Sequence, residues 1–532
     1  IYHMGREEKA DLILNRQAMA SHTFVTGSTG TGKSNAVYHL LDEITKDGRT
    51  SFLVVEPAKG EYKNVFGSRA DVKVFGTNPR ETPLLRINPF AFPQDIHILE
   101  HIDRLVEIFN ACWPMYAAMP AVLKDAIERS YQKAGWNLRN SESEKGVFPT
   151  FFDLLDILPG VIEESHYSKD TQSDYVGALC TRVKSLTNGI YGSVFCAEDA
   201  LSDAELFDCN VVVDLSRVGS METKSLLMGI LVMKLQEYRM CGSEMNSRLR
   251  HVTVLEEAHN LLRKTSAEQS QEGANLQGKS VEMLANAIAE MRTYGEGFII
   301  ADQAPGLLDM SVIRNTNTKI ILRLPDEEDR KLVGKSAALK EAQIDELSKL
   351  PLGVAAVYQN EWPEAVLCKI EAYPMPENAV YHKPSKMPHE INAEFVFGQL
   401  AAGKELEPLS ISEMEQLKLW LKRHEMMLKP GDSRYLEQVF AGGELDVAKT
   451  RKAVFDFFGG ISTVVDYCAV AEKSFTPRKE FLEQLQGQYG LKAAAADWVL
   501  NSVISMGMSL NPDAKAVENL RTNFEQQGGR VL

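Results

Sequence analysis

One stretch limits what this chain can fold into: His22-Thr-Phe-Val-Thr-Gly27-Ser-Thr-Gly-Thr-Gly32-Lys33-Ser34. Phe24 and Val25 suit a short buried strand, and Val37, Leu40, Leu41 and Ile44 recur at helical spacing beyond it. Between the two stands Gly-x4-Gly-Lys-Ser, the spacing of a phosphate-binding loop. Gly27, Gly30 and Gly32 let the main chain adopt left-handed conformations and approach an anion with no Cβ in the way. The N–H groups from Gly27 through Ser28, Thr29, Gly30, Thr31 and Gly32 can then form an anion nest at the positive end of the next helix. In that arrangement Lys33 reaches the β- and γ-phosphates of a nucleotide and the Ser34 hydroxyl ligates Mg²⁺.

The rest of the chain must supply a sheet for this loop, and it does so in pieces. Ser51-Phe-Leu-Val-Val55, Asn210-Val-Val-Val-Asp214, Val252-Thr-Val-Leu255, Phe298-Ile-Ile-Ala301 and Thr318-Lys-Ile-Ile-Leu322 are apolar runs of the parallel-sheet kind. They alternate with helical patterns, which predicts an α/β fold with a doubly wound, mostly parallel sheet. Gly353–Tyr358 and Ala365–Ile370 read as a terminal hairpin, and Asp11–Asn15 as a strand leading into the core. The core is split: residues 1–76 hold its first part, 77–205 a mainly helical insertion with helices near 96–110, 119–134 and 150–165, and 206–376 its second part. Ser141–Gly146 reads as an exposed loop within the insertion. Pro374, Pro376 and Pro384 mark a linker, and 377–532 a separate α-helical domain.

Composition narrows the function classes. No apolar run reaches the length of a membrane span, and the charged opening Gly5-Arg6-Glu7-Glu8-Lys9 does not read as a signal peptide. Seven scattered cysteines without a C-x-x-C pair fit reduced thiols in a cytoplasmic protein and argue against structural zinc. The net charge of −15 argues against a protein that coats nucleic acid non-specifically. Any DNA contact must come from a local positive surface, such as the lumen of a ring.

Two strands ending in acids compete for the second nucleotide motif. Val252-Thr-Val-Leu-Glu256-Glu257 has two adjacent carboxylates, as hydrolysis needs: Glu256 to hold the Mg²⁺ shell and Glu257 as catalytic base. Asp214 is alone at its strand end and reads better as a cap for the next helix. His259 lacks partners at metal-ligand spacing, so a hydrogen-bonding role in the site fits it better. Gln303 follows a buried strand, where it is either a sensor of the γ-phosphate or a turn residue. Arg292, placed at the end of a helix 280–293, and Arg323, at a strand end, could each be given to a neighbouring subunit's γ-phosphate. The alternatives are a helix-end charge for Arg292 and an intrachain ion pair for Arg323. Glu56–Lys63 is either a loop at the ligand edge of the sheet or a solvated charged loop. Thr265–Gly278 has no apolar periodicity and reads as a loop, lining a lumen or lying on the surface.

Taken in order, Gly27-Ser-Thr-Gly-Thr-Gly-Lys-Ser34-Asn35, Leu255-Glu-Glu-Ala-His-Asn260, Arg292-Thr-Tyr-Gly-Glu-Gly-Phe298, Asp302-Gln-Ala-Pro305 and Asn315–Arg323 resemble the successive motifs of HerA-type ATPases, in the FtsK–HerA branch of P-loop motors. The likeness covers about 20–75 and 208–370. It implies a RecA-like core, ATP as substrate with Mg²⁺, and a homohexameric ring that translocates double-stranded DNA. It also implies an effector protein such as a nuclease or NADase, in DNA-end processing or anti-phage defence. It adds Asn35 to the nucleotide-binding residues and supports the roles given to Lys33, Ser34, Glu256, Glu257 and Gln303. The acidic balance leaves a second reading, an ATP-binding platform that scaffolds and regulates an effector enzyme with little DNA movement.

Overall fold

Strands rich in Val, Ile, Leu and Phe must be covered on both faces, and the helices of the chain provide that cover. The computed structural model describes residues 2–3, 6–7, 10–375 (without 117, 144–145, 198–199, 243–244 and 266–272), 380–381, 383 and 430–529 (without 441–445, 472, 475, 490–492 and 512). Packing divides the chain into two units, residues 1–383 and 384–532.

The first unit is built on nine strands: β1 (Thr23–Thr26), β2 (Ser51–Glu56), β3 (Val72–Gly76), β4 (Asn210–Asp214), β5 (His251–Glu256), β6 (Glu296–Asp302), β7 (Thr318–Ile321), β8 (Val354–Gln359) and β9 (Val366–Lys369). Their spatial order is β9-β8-β7-β1-β6-β5-β2-β4-β3. Strands β1 to β7 are parallel, and β8 and β9 add an antiparallel edge, the expected terminal hairpin. Side chains alternate between two cores. Val25, Phe52, Val54 and Val212 join Val37, Leu41 and Ile44 of helix α1 (Lys33–Thr45), while Phe24, Leu53, Val55 and Val213 join the opposite layer. Each such side chain contributes about 1.5–3 kcal/mol on burial.

That opposite layer holds α2 (Ile98–Cys112), α3 (Met119–Lys133), α4 (Phe151–Glu164), α5 (Met221–Gly242) and α6 (Gly273–Glu290). The first three match the periodicity within two residues at each end. A capping box between Thr150 and Asp153 fixes the start of α4. Helix α2 packs on both α5 and α6. The helical segment between β3 and β4 therefore shares its apolar core with the sheet.

Three local expectations change. Residues 11–15 make no strand; the chain runs through them into a 3₁₀ turn at Gln17–Ser21. The polar stretch expected as a loop up to Gly278 is already helical from Gly273, and 266–272 lie outside the described residues. Part of the expected loop at 141–146 is a two-residue strand, Glu142–Ser143, paired with Trp136–Asn137.

In the second unit the described residues form six helices between Pro430 and Gln526, with a core that includes Leu436, Phe455, Tyr467, Phe481, Leu500 and Phe524. The linker prolines 376 and 384 lie outside the described residues. Among the described residues no single helix is long and apolar enough to cross a membrane; Val447–Phe457 and Ile461–Ala471 meet that test only as a pair bent by 65°.

Candidate nucleotide site

Parallel strands in register bring their carboxyl ends to one line, and this chain places an acid at four neighbouring ends. Thr26 pairs with Asp302, Ala301 with Glu256, Val55 with Leu255, and Glu56 with Asp214. Asp302, Glu256, Glu56 and Asp214 thus end β6, β5, β2 and β4, all nearly or fully buried. Unpaired carboxylates there would be costly. Each has its own compensation.

The loop after β1 comes first. Gly30 and Gly32 have φ of +76° and +106°, where a side chain would be strained. A Cβ on Gly27 would stand 2.6 Å from Thr31 Oγ1 and 2.8 Å from Leu322 Cβ, so that position too admits only glycine. The loop is held from both sides: Ser28 N donates to Arg323 O at 3.0 Å, and Gly353 N donates to Thr31 O at 3.2 Å. Lys33 opens α1 with its ammonium buried at the strand ends, 3.0 Å from Glu257 Oε1 and 3.3 Å from Glu256 Oε2. Burial pulls the Lys33 pKa down, but Glu256 and Glu257 outweigh it and hold it above the ordinary lysine value.

Glu256 also accepts a hydrogen bond from the buried Tyr62 hydroxyl at 2.5 Å. Glu257 sits just past β5 with φ of +45°, a conformation non-glycine residues avoid unless held there. Its Oε2 is buried with no hydrogen-bond partner among the described residues, with His259 Nδ1 at 3.6 Å. The Asp302 carboxylate binds both Nδ1 and the main-chain N–H of His259, each at 2.9 Å. Its hydrogen bond raises the His259 pKa against the opposing effect of burial. The expected hydrogen-bonding role of His259 thus has a partner, Asp302. Next to it Gln303, in the bend after β6, accepts from Thr29 Oγ1 at 2.8 Å, a tie to the phosphate loop.

Ser34 follows Lys33 in the first turn of α1 and shares a hydrogen bond with the Tyr38 hydroxyl. Asn35 turns elsewhere: Nδ2 donates to Glu371 O and Oδ1 accepts from Tyr373 N, both at 2.7 Å. Its amide thus fastens α1 to the chain after β9. The two arginines separate. Arg323 is exposed beside its own loop and forms no intrachain ion pair among the described residues, its carbonyl holding Ser28. Arg292 does not end a helix; α6 stops at Glu290, and Arg292 lies exposed in a 3₁₀ turn, Met291–Tyr294, before β6. It is at the amino edge of the sheet, about 20 Å from the loop by the length of β6.

Asp214 is corrected as well. Helix α5 begins only at Met221, and the carboxylate instead accepts from Ser216 N at 2.9 Å and pairs with Lys63 at 2.6 Å. Glu56, which the sequence reading did not single out, accepts from Glu61 N and Tyr62 N at 2.8 and 3.1 Å. Burial still pushes its carboxyl up to about 8. The loop 56–63 therefore belongs to the ligand edge, and Glu56, Tyr62 and Asp302 are the residues sequence reasoning missed. A usable signal existed for the two acids, since each closes an apolar run.

The donor set fits Mg²⁺. Ser34 and Glu256 offer hard oxygen ligands, and a cationic ammonium already rests against both Glu256 and Glu257. A phosphate loop, paired strand-end acids and a polar residue tied to the loop define a P-loop nucleoside-triphosphate site on a RecA-like sheet.

Comparison with known proteins narrows that class. The family model "Helicase HerA, central domain" matches residues 3–232. The DNA double-strand break repair helicase HerA of Sulfolobus acidocaldarius is 25% identical over 364 residues, 67% of this chain and 66% of that protein. A probable helicase of Methanocaldococcus jannaschii is 23% identical over 390 residues, 68% of each chain. This chain thus spans about two thirds of the length of these relatives. VirB4 of Thermoanaerobacter pseudethanolicus shares the fold with a TM-score of 0.51 at 19% identity, over 66% of this chain and 90% of that one. The bacterial conjugative coupling protein TrwB, in its unbound form, does so with a TM-score of 0.50 at 16% identity, over 71% and 91%. Over residues 3–232 the chain is similar to the HerA central domain, and its site and fold are of the P-loop ATPase type.

Proposed function

We propose that this protein is an ATP-driven motor that works as a homohexameric ring on double-stranded DNA, in the cytoplasm, together with an effector enzyme such as a nuclease or NADase. The observation that carries the reading is the position of Lys33, within 3.3 Å of both Glu256 and Glu257 at the mouth of a preformed phosphate loop. Phosphate oxygens compete with those carboxylates for the ammonium. When Lys33 turns to the nucleotide, Glu257 is freed to take a proton from the attacking water. Ser34 and Glu256 would hold Mg²⁺, which would supply positive charge to the phosphates. Gln303 orients the water from its tie to Thr29, and His259, fixed by Asp302, gives Glu257 a neighbour to turn toward.

The ring follows from what a lone subunit leaves open. Arg292 is exposed and at the far edge from its own loop, which suits a residue given to the next subunit's γ-phosphate; Arg323 lies at its own loop. A trans arginine is worth about 10³–10⁵ in turnover. The DNA substrate is supported by the relatives, named as DNA repair helicases. Turnover of ATP by the full chain should rise when linear duplex DNA is added, and mixing Lys33→Ala with Arg292→Ala subunits should recover activity above either parent. A turnover indifferent to DNA would favour the scaffolding reading, and mixtures that stay inactive with both Arg292→Ala and Arg323→Ala would sink the ring mechanism.

A further inference from the structure

The acidic chain must find positive surface for a duplex somewhere, and one cleft provides it. A cavity of about 680 Å³ opens at the carboxyl ends of β2, β4 and β3. It lies on the same edge as the phosphate loop but four strands along from β1, about 19 Å by strand spacing. Lys59, Lys63, Arg80, Arg217 and Lys383 line it, with Glu81 as the one acid of its wall. Two cations are pinned: Lys63 lies 2.6 Å from Asp214 and 3.0 Å from Glu81, and Arg217 lies 2.6 Å from Glu81. Lys59 makes only a loose pair with Glu61 at 3.9 Å, and Arg80 is exposed. Lys383 donates to the carbonyl of Pro79. Five cations thus face three carboxylates, in a chain whose net charge is −15. Lys59 and Gly60 are held at φ of +67° and +68°, a left-handed pair that costs most at the lysine.

We propose that this cleft binds the phosphodiester backbone of duplex DNA. Charge complementarity selects the ligand: five cations stand together in a chain whose net charge is −15. The wall is mostly polar and open, unlike the apolar enclosure that grips a single nucleotide. Exposed lysine and arginine heads suit phosphates spaced along a strand, reading shape and charge without sequence. The inference rests on the reading of the chain as a DNA motor, and adds where the DNA is held.

The test is duplex binding by the full chain, followed by fluorescence anisotropy between about 50 and 200 mM salt. Each phosphate contact contributes about 0.9 to the slope of log affinity against log salt, so Lys59→Gln/Arg80→Gln/Lys383→Gln should flatten that slope by up to about 2.7. ATP turnover without DNA and the melting temperature should stay unchanged. Should the triple variant melt early, Arg80→Gln alone carries the test, with a loss of about 0.9. An unchanged slope in a folded variant overturns the cleft and leaves the motor reading standing. A wild-type chain that fails to bind duplex DNA at low salt overturns both. Inorganic pyrophosphate bound by Lys33→Ala protein and lost in the cleft variant, with the DNA slope unchanged, makes this a free-anion site and overturns the DNA assignment.

Discussion

The two edges of the sheet carry buried charge clusters of similar composition and opposite character. At the amino edge Glu296 accepts from Arg239 Nε at 3.0 Å, His251 Nδ1 at 2.7 Å and Thr253 Oγ1 at 2.9 Å, and none of the four side chains is more than 1% exposed. Arg239 and His251 outweigh burial and hold the Glu296 carboxyl below the usual range. At the carboxyl edge Lys33 is shared between two acids, Glu257 keeps an oxygen without a hydrogen bond, and its backbone is left-handed. In the first cluster both oxygens of Glu296 are bonded, His251 Nε2 is left without a partner among the described residues, and the network fixes the strands to α5. The second holds groups that a phosphate can redistribute. A carboxylate with both oxygens bonded holds structure; one with an open oxygen at a cleft is placed for chemistry.

That contrast is sharpest under a pair of substitutions. Glu257→Gln should lower ATP turnover by about 10²–10⁴-fold while leaving ATP binding and the melting temperature near wild type. Glu296→Ala should do the reverse, costing about 1–3 kcal/mol for each buried donor left without its acceptor (Arg239 Nε, His251 Nδ1 and Thr253 Oγ1) while Arg239 keeps Asp208, with turnover of the remaining folded protein preserved. Calorimetric ATP titration, phosphate release and thermal melts read both. Near-normal turnover in Glu257→Gln would remove the assignment of the base.

A smaller effect tests whether the open cluster is organised at all. Asp302→Asn keeps the shape but weakens the hold on His259, a charged hydrogen bond worth about 1.5–3 kcal/mol, or roughly ten- to a hundredfold. If His259 positions Glu257, the loss should fall on kcat with the ATP affinity intact, and a loss confined to affinity would say that Asp302 only shapes the loop.

The remaining prediction is a pH dependence at Glu56. Its folded pKa of about 8 lies above the ordinary 4.5, so the folded state favours the protonated carboxyl. The stabilisation linked to that proton is complete below about 4.5 and is lost as pH rises through about 8. Melting temperatures of wild type should therefore fall against those of Glu56→Gln between these values. Parallel curves would mean that the two main-chain N–H bonds keep Glu56 ionised.

Much of this was legible in one dimension because it is local. A phosphate loop is a run of glycines at fixed offsets beside a strand and a helix, so Gly27 to Ser34 declare it without the rest of the chain, and the apolar runs declare a parallel sheet. Glu256 and Glu257 are adjacent in sequence, and their pairing survives projection onto a line. What only the tertiary structure decided is long-range register. The line of Asp302, Glu256, Glu56 and Asp214 depends on four strands scattered over 250 residues stopping at one level, and no local pattern encodes a level. The same holds for side chains with several possible partners. Asn35 could have faced phosphate but fastens 371–373, and Asp214 could have capped a helix but pins Lys63, because hydrogen-bonding groups settle on whichever partner the packing brings within about 3 Å.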